Sequence, residues 1–275
     1  MTAKVAIVTD STSDLPPERT RELGIAVVPL TVHIDGHSFF DGTELTPEQF
    51  YQKLSGARAI PTTSQPSAGQ FHAAYEALEA DEIISIHISA KLSGTINSAR
   101  IAADQLPAKR IRVFDSQSVS MALGYVVQTA AEAAASGEGL EAICESVQAS
   151  IRQTGFLAVL ETLHHAQKSG RIGFAQALLG SMLQVKPIIG IANGEVVPVD
   201  RPRTMRKAVD RLIDLTVRDA PFHHLAVPHA GNEELARDIA ERLRLVHPGP
   251  IDVLATGAVV GTHCGPGAVA CCYLK

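Results

Sequence analysis

The 275-residue chain contains no tryptophan, and only 4% of its residues are aromatic. Stacking platforms for bases and cages for quaternary amines therefore have few candidates. There is no G-x-x-x-x-G-K-[ST] loop and no G-x-G-x-x-G after a strand, so no motif speaks for ATP or a dinucleotide, and no cofactor is expected. Four cysteines (Cys144, Cys264, Cys271 and Cys272) have neither paired C-x-x-C spacing nor the density of a secreted disulfide scaffold; reduced thiols are expected. Adjacent Cys271 and Cys272 read as small core residues on opposite faces of a strand. The net charge of -5 shows no basic excess, so no nucleic-acid partner is expected. His164-His165 and His223-His224 are neighbours whose side chains diverge, which argues against a metal site. No apolar run reaches membrane-spanning length. The apolar stretch after Met1 to Lys4 is too short for a signal peptide, so a cytoplasmic protein is expected.

What is present is aliphatic. With 45% hydrophobic residues the chain can bury a substantial core and is long enough for two domains. Val5 to Thr9, Ala26 to Ile34, Ile83 to Ile88 and Ile111 to Phe114 read as strands. They alternate with helical patterns at Pro17 to Leu23, Gln70 to Leu78, Thr95 to Leu106 and Val119 to Ala135. Alternation of this kind predicts a parallel α/β sheet, with functional loops at the carboxyl ends of its strands. Ile34 to Phe39 reads as a hairpin, and Ser136 to Gly139 as a break between two helices. After about Gly155 the pattern changes. A hairpin at Val185 to Val199 turns on Asn193-Gly194, strands are expected at Leu225 to Pro228, Ile251 to Ala255 and Gly267 to Tyr273, and helices at Thr204 to Val217 and Glu233 to Leu245. The expected fold is α/β with two domains: a parallel-sheet, Rossmann-like domain at 1–154 and a mixed α+β domain at 155–275, with the ligand site between them.

The segment Ser89-Ala90-Lys91-Leu92-Ser93-Gly94-Thr95 follows a strand and opens a helix. It gathers N–H and O–H donors at one point, as an anion site requires. Ser93 is the leading candidate, although Ser93 and Thr95 could equally serve as helix caps. Thr62-Thr63-Ser64-Gln65-Pro66-Ser67 reads as a hydroxyl-rich loop whose last serine can cap the next helix. Gly261-Thr262-His263-Cys264-Gly265-Pro266-Gly267-Ala268 reads as a glycine-dense loop carrying one histidine. Asp10, Ser11 and Asp14 read as βα-turn or capping residues. An aspartyl-phosphate enzyme would need a second aspartate where Thr12 stands.

Taken in order, Thr62 to Ser67, Leu92 to Thr95 and Gly261 to Ala268 resemble the signature of the DegV family of bacterial fatty-acid-binding proteins. Val8-Thr9-Asp10-Ser11, Asp115-Ser116, Ser169-Gly170-Arg171-Ile172 and Lys186-Pro187-Ile188 are similar too, so the resemblance covers essentially the whole chain. It implies a non-catalytic carrier that binds a long-chain fatty acid between its domains and presents the carboxylate to a separate fatty acid kinase subunit. The acyl phosphate would then pass toward phospholipid synthesis. The family's carboxylate contacts fall on Thr63 and Ser93, with Thr62, Gly94 and Thr95 adjacent and His263 reaching the headgroup directly or through water. The basic residues Lys168, Arg171, Arg201, Arg203, Arg206 and Lys207 read either as a solvated face or as a docking surface for the kinase or for an anionic membrane. Among them Arg171, Arg203 and Arg206 are the docking candidates. The enzymatic rival is a serine-dependent acyl hydrolase built on Ser93 and His263, but no G-x-S-x-G elbow surrounds Ser93 and no aspartate is placed to orient the histidine.

Overall fold

The computed structural model describes residues 5–178 and 185–275. Met1 to Lys4 lie outside the described residues, and the apolar stretch that follows them belongs to the first strand. The first half runs β1 (Val5–Asp10), α1 (Pro17–Glu22), β2 (Ala26–Val28), β3 (Thr31–Ile34), β4 (His37–Phe40), α2 (Pro47–Gly56), β5 (Thr62–Ser64), α3 (Ala68–Glu76), β6 (Glu82–His87), α4 (Thr95–Asp104) and β7 (Arg110–Asp115). Two helices follow, α5 (Ser120–Ala135) and α6 (Leu140–Gln153). The second half contains β8 (Thr154–Val159), α7 (His164–Lys168), β9 (Ile188–Ala192), β10 (Glu195–Asp200), α8 (Met205–Val217), β11 (His224–His229), α9 (Glu233–Leu243), β12 (Ile251–Ala255), α10 (Ala258–Cys264) and β13 (Val269–Leu274).

These strands make a parallel sheet in the order β2-β1-β6-β7, a small antiparallel sheet β4-β3-β5, and a mixed sheet β10-β9-β8-β13-β11-β12. The apolar runs of β1 and β6 are buried, as expected for a parallel sheet covered by helices. Both hairpin turns, Asp35-Gly36 and Asn193-Gly194, hold two successive residues at positive φ (48° and 81°, then 51° and 81°), the geometry that suits the twist of the flanking strands. Thr46 and Ser67 each form a capping box, with Gln49 and Gln70 respectively, which fixes the starts of α2 and α3. Cys271 and Cys272 are fully buried on opposite faces of β13, each in a different core.

The structure corrects the sequence reading at four places. Ala26 to Ile34 is not one strand: Pro29 interrupts it, so β2 joins the parallel sheet and β3 the small one. The hairpin strand begins at Ile188 rather than Val185, because Pro187 has no N–H to enter the ladder. Thr62 to Ser64 form a strand rather than a loop, paired in register with β3. Gly261 to Cys264 finish a helix, α10, so the glycine-dense loop begins only at Gly265, whose φ is 77°.

Helix α5 is apolar around most of its circumference and is buried on two sides. Met121, Ala122 and Tyr125 belong to a core shared with the mixed sheet, while Leu123, Val126, Val127 and Ala130 pack into the core of the parallel sheet. Close approach at its first turns depends on Gly124, where a Cβ would stand 2.7 Å from the Ser13 carbonyl oxygen. We expect Gly124→Ala to lower unfolding stability in urea by about 1–3 kcal/mol through overpacking. The gain of about 1 kcal/mol in helix propensity should offset only part of this. An unchanged midpoint would show that Ser13 moves aside freely.

Candidate functional site

Three groups of residues that lie far apart in the sequence meet in one cavity of about 270 Å³. β5 supplies Thr63, the β6–α4 loop supplies Leu92 and Ser93, and α10 supplies Val259, Val260 and His263. The remaining wall is largely aliphatic, with Val119 ahead of α5, Phe156 on β8, and Ile189, Ile191 and Val196 on the β9–β10 hairpin. Each position follows from local geometry. Side chains alternate along β5, so Thr63 faces inward and Thr62 does not. Ser93 sits just before α4, where its Oγ accepts from Thr95 N at 3.3 Å and lies 2.8 Å from Thr95 Oγ1.

The polar groups of the cavity are linked to one another. Thr63 Oγ1 lies 2.9 Å from His263 Nε2. Arg171, whose charge acts on His263, donates from Nε to the Leu92 carbonyl at 3.3 Å and from Nη1 to the Ser169 carbonyl at 2.6 Å. Burial pushes the imidazolium of His263 down to a pKa of about 4, with the positive charge of Arg171 acting in the same direction, so the ring is neutral at physiological pH. Its Nδ1 is buried and has no hydrogen-bond partner among the described residues.

Of the residues expected from sequence, the fold places Thr63, Ser93 and His263 on the cavity wall. Thr62, Gly94 and Thr95 are not on it. Thr62 points to the opposite face of β5. Thr95 is fully buried and its hydroxyl is engaged with Ser93. The Gln65 amide crosses over Gly94, and a Cβ there would stand 2.2 Å from Gln65 Oε1, so a side chain at 94 would have to displace that amide. Arg171, read as a docking residue, is exposed and also lines the cavity, and Arg203 and Arg206 lie exposed around the start of α8. Among the cavity residues not singled out from the sequence are Ser64, Gln65 and Thr12. Gln65 lies within the hydroxyl-rich segment, and its Nε2 donates to Ser98 Oγ at 3.1 Å, bracing β5 against α4. Thr12 reaches the wall because Asp10 Oδ1 accepts from its backbone N–H and its hydroxyl.

Helix α10 is anchored from the other half of the chain. Asp14 accepts from Ser120 Oγ at 2.6 Å, from Gly257 N at 2.8 Å and from the Thr256 hydroxyl, while Asp41 accepts from Ala258 N at 2.8 Å. Burial raises the Asp14 carboxyl to about 6 against the pull of these hydrogen bonds. Burial, together with the neighbouring Asp14 charge, raises Asp41 to about 7. Among the described residues no group of three or more His, Cys, Asp or Glu could hold a metal ion. Nor is any helix among them long and apolar enough to cross a membrane.

The α/β architecture thus sets a small hydroxyl–imidazole cluster in the wall of an otherwise largely aliphatic cavity. The chain was compared with known proteins. The family described as "Uncharacterised protein, DegV family" matches residues 4–275. A DegV domain-containing protein of Deinococcus radiodurans is 39% identical over 271 residues, covering 96% of both chains. A DegV family protein from Thermus thermophilus, described by its fatty acid binding, superposes with a TM-score of 0.91 at 36% identity, covering 99% of this chain and 100% of that one. DegV of Bacillus subtilis, described as a fatty acid binding protein, does so with a TM-score of 0.91 at 35% identity and the same coverage. The chain belongs to the DegV family.

The depressed pKa of His263 fixes the sign of a pH effect. The unfolded chain takes up this proton near pH 6.5 and the folded chain only near 4. The contribution of His263 to stability is therefore complete above pH 6.5 and is lost as pH falls toward 4, by an amount on the order of 3 kcal/mol. We expect its ring resonances to stay at their neutral positions down to about pH 5, and the His263→Asn protein to lose this part of the pH slope. A ring titrating near 6.5 in the folded protein would contradict the burial argument.

Proposed function

We propose that the chain binds a long-chain fatty acid in this cavity, with the carboxylate at Thr63 and Ser93 and the acyl tail along the aliphatic wall. The observation that carries the reading is the Thr63–His263 pair set in an otherwise largely aliphatic cavity. A neutral His263 donating from Nε2 to Thr63 Oγ1 leaves the Thr63 proton free for a carboxylate oxygen. Arg171 adds a positive charge nearby. The fatty-acid-binding descriptions of the Thermus thermophilus and Bacillus subtilis relatives support the same ligand class. Each buried methylene contributes about 0.8 kcal/mol. A tail of about a dozen methylenes therefore contributes on the order of 10 kcal/mol before association and ordering costs, more than the headgroup hydrogen bonds at about 1.5–3 kcal/mol each. The hydroxyls set orientation.

On this reading the protein is a carrier rather than a catalyst. Ser93 Oγ is paired with Thr95, not with His263, and no carboxylate orients His263 Nδ1 among the described residues. The hydrolase alternative lacks both contacts a nucleophilic serine needs. The bound carboxylate would be phosphorylated by a separate kinase subunit and the acyl phosphate carried toward phospholipid synthesis in the cytoplasm, with transient contact at an anionic membrane. The exposed Arg203 and Arg206 are the candidate docking residues. Arg171 would serve the headgroup and the docking face together.

Native mass spectrometry of the purified protein should detect a co-purifying acyl chain. Ser93→Ala and Thr63→Ala should each weaken fatty acid binding by about ten- to a hundredfold with the fold retained, as expected for loss of a hydrogen bond to a charged group. Unchanged acyl content and exchange in both variants would refute the headgroup assignment.

Charge reversal of Arg203 and Arg206 should slow phosphorylation by the partner kinase and alter its salt dependence, while the bound lipid stays the same. Phosphorylation at the wild-type rate would return these residues to an ordinary solvated face.

A further inference from the structure

Strand β5 separates two depressions. Thr63 faces the cavity just described, and Thr62, one residue earlier, faces a groove of about 650 Å³. The groove runs between the segment 54–61, which ends α2 and leads into β5, and helix α7. Its charged side chains carry one sign. Arg58 and Lys168 are exposed, and neither forms an ion pair with a carboxylate among the described residues. His164 and His165 stand beside them with ring centroids 6.2 Å apart. Among the described residues no Asp or Glu lines the groove. This cationic groove stands in a chain of net charge -5.

The groove and the headgroup cluster share a wall. His165 Nδ1 lies 3.2 Å from the carbonyl oxygen of Thr262, the residue before His263. Gly265 is pressed against the same ring, since a Cβ there would stand 2.7 Å from His165 Cδ2. The His165 charge also acts on His263. A ligand in the groove therefore sits one strand and one helical turn from the carboxylate position.

We propose that this groove is a binding site for a dianionic phosphoryl group, held by Arg58 and Lys168 with donors from Thr62 and His164 and from the His165 imidazolium, whose Nδ1 already faces the Thr262 carbonyl. Two cations in a groove with no acidic lining suit a doubly charged phosphate better than a singly charged carboxylate, the Asp35 carboxylate being engaged outside the lining with the Arg58 backbone N–H at 3.2 Å. The proposal deepens the carrier reading and rests on it for the origin of the phosphoryl group. That group is either the one on the acyl chain itself or one belonging to a separate phosphate donor. The recognised chemistry is the same for either source.

The test uses full-length protein labelled at histidine, in acyl-free and acyl-loaded forms, titrated with inorganic phosphate. Saturable shifts at His164 and His165 are expected, with an upward movement of the His165 pKa, which burial holds below the ordinary value. The double variant Arg58→Gln, Lys168→Gln should weaken these shifts by about tenfold or more while its acyl content stays at the wild-type level. Shifts confined to His263, shifts reproduced by chloride at equal ionic strength, or shifts unaltered in the double variant would each overturn the proposal. A long-chain alkylphosphonate then identifies the source: displacement of inorganic phosphate from the groove assigns it to the acyl phosphate, and simultaneous occupancy assigns it to a separate donor. Acyl content is read by mass spectrometry, so failure of the carrier reading shows there. Failure of the groove shows in the histidine spectrum.

Discussion

Two buried carboxylates from the first half of the chain hold the first turn of α10, and the cavity depends on that contact. A carboxylate out of water is costly unless its oxygens accept hydrogen bonds. Asp14 and the Oδ1 of Asp41 find theirs on the unpaired N–H groups of a helix start, where the helix dipole also favours negative charge. Asp41 Oδ2 has no partner among the described residues, and burial raises its carboxyl to about 7. The contact is selective. Asp14 takes part only because its own φ of 52° turns the chain back after the short helical turn at Ser11–Ser13, and Gly257 admits both acids because a Cβ there would stand 3.2 Å from each. Behind this anchor, Leu30, Val32 and Phe50 pack on Ala258 and Val259, and Tyr51 donates to the Thr256 carbonyl at 3.1 Å. With the helix start fixed, His263 about a turn and a half later meets Thr63.

Much of this was legible in the sequence, for identifiable reasons. Elements with a strong period and a clean boundary appeared where expected. β6, β7, α8 and β12 have β-branched or amphipathic patterns bounded by polar or proline residues, and the Asn193-Gly194 turn announces itself chemically. The two misread site segments share a different property. β5 is three residues long and α10 seven, and neither has the composition of its class: β5 is all hydroxyls, and α10 is framed by glycines at 257, 261 and 265. Both are specified by their partners, β3 in one case and the two acids with α2 in the other, rather than by intrinsic preference. Gly261 has a packing reason that propensity does not see, because a Cβ there would stand 2.9 Å from the Phe50 ring. Gln65 escaped notice because its role is to cross over Gly94, a contact with no signature in either residue alone.

A second buried network shows why hydrogen-bond topology alone does not define an active site. Tyr75 donates to Ser85 Oγ at 2.8 Å, Ser85 Oγ lies 2.6 Å from His87 Nε2, and His87 Nδ1 lies 3.0 Å from Asp10 Oδ2. The order serine, histidine, aspartate is that of a hydrolytic triad. Yet Ser85, His87 and Asp10 are all 0% exposed, and Ser85 borders none of the cavities described. No substrate could reach the serine. What the network does is structural and local: it satisfies the polar groups at the centre of the parallel sheet, and through Asp10 it orders Thr12 at the cavity wall and the backbone N–H of Ile88 beside it.

The two-sided burial of α5 has a consequence for how the chain can be divided. The mixed sheet takes its strands from Thr154 onward, which makes the α6–β8 junction look like a seam. Yet a fragment ending there would carry Met121, Ala122 and Tyr125 with their partners cut away, and the remaining fragment would lack the helix that covers one face of its sheet. Each piece would present a sticky apolar surface to its neighbours in solution. The lobes are thus two in architecture and one in cooperativity, so an insertion or split reporter in this chain is better sited at an exposed turn such as Gly137-Glu138 than at the apparent seam.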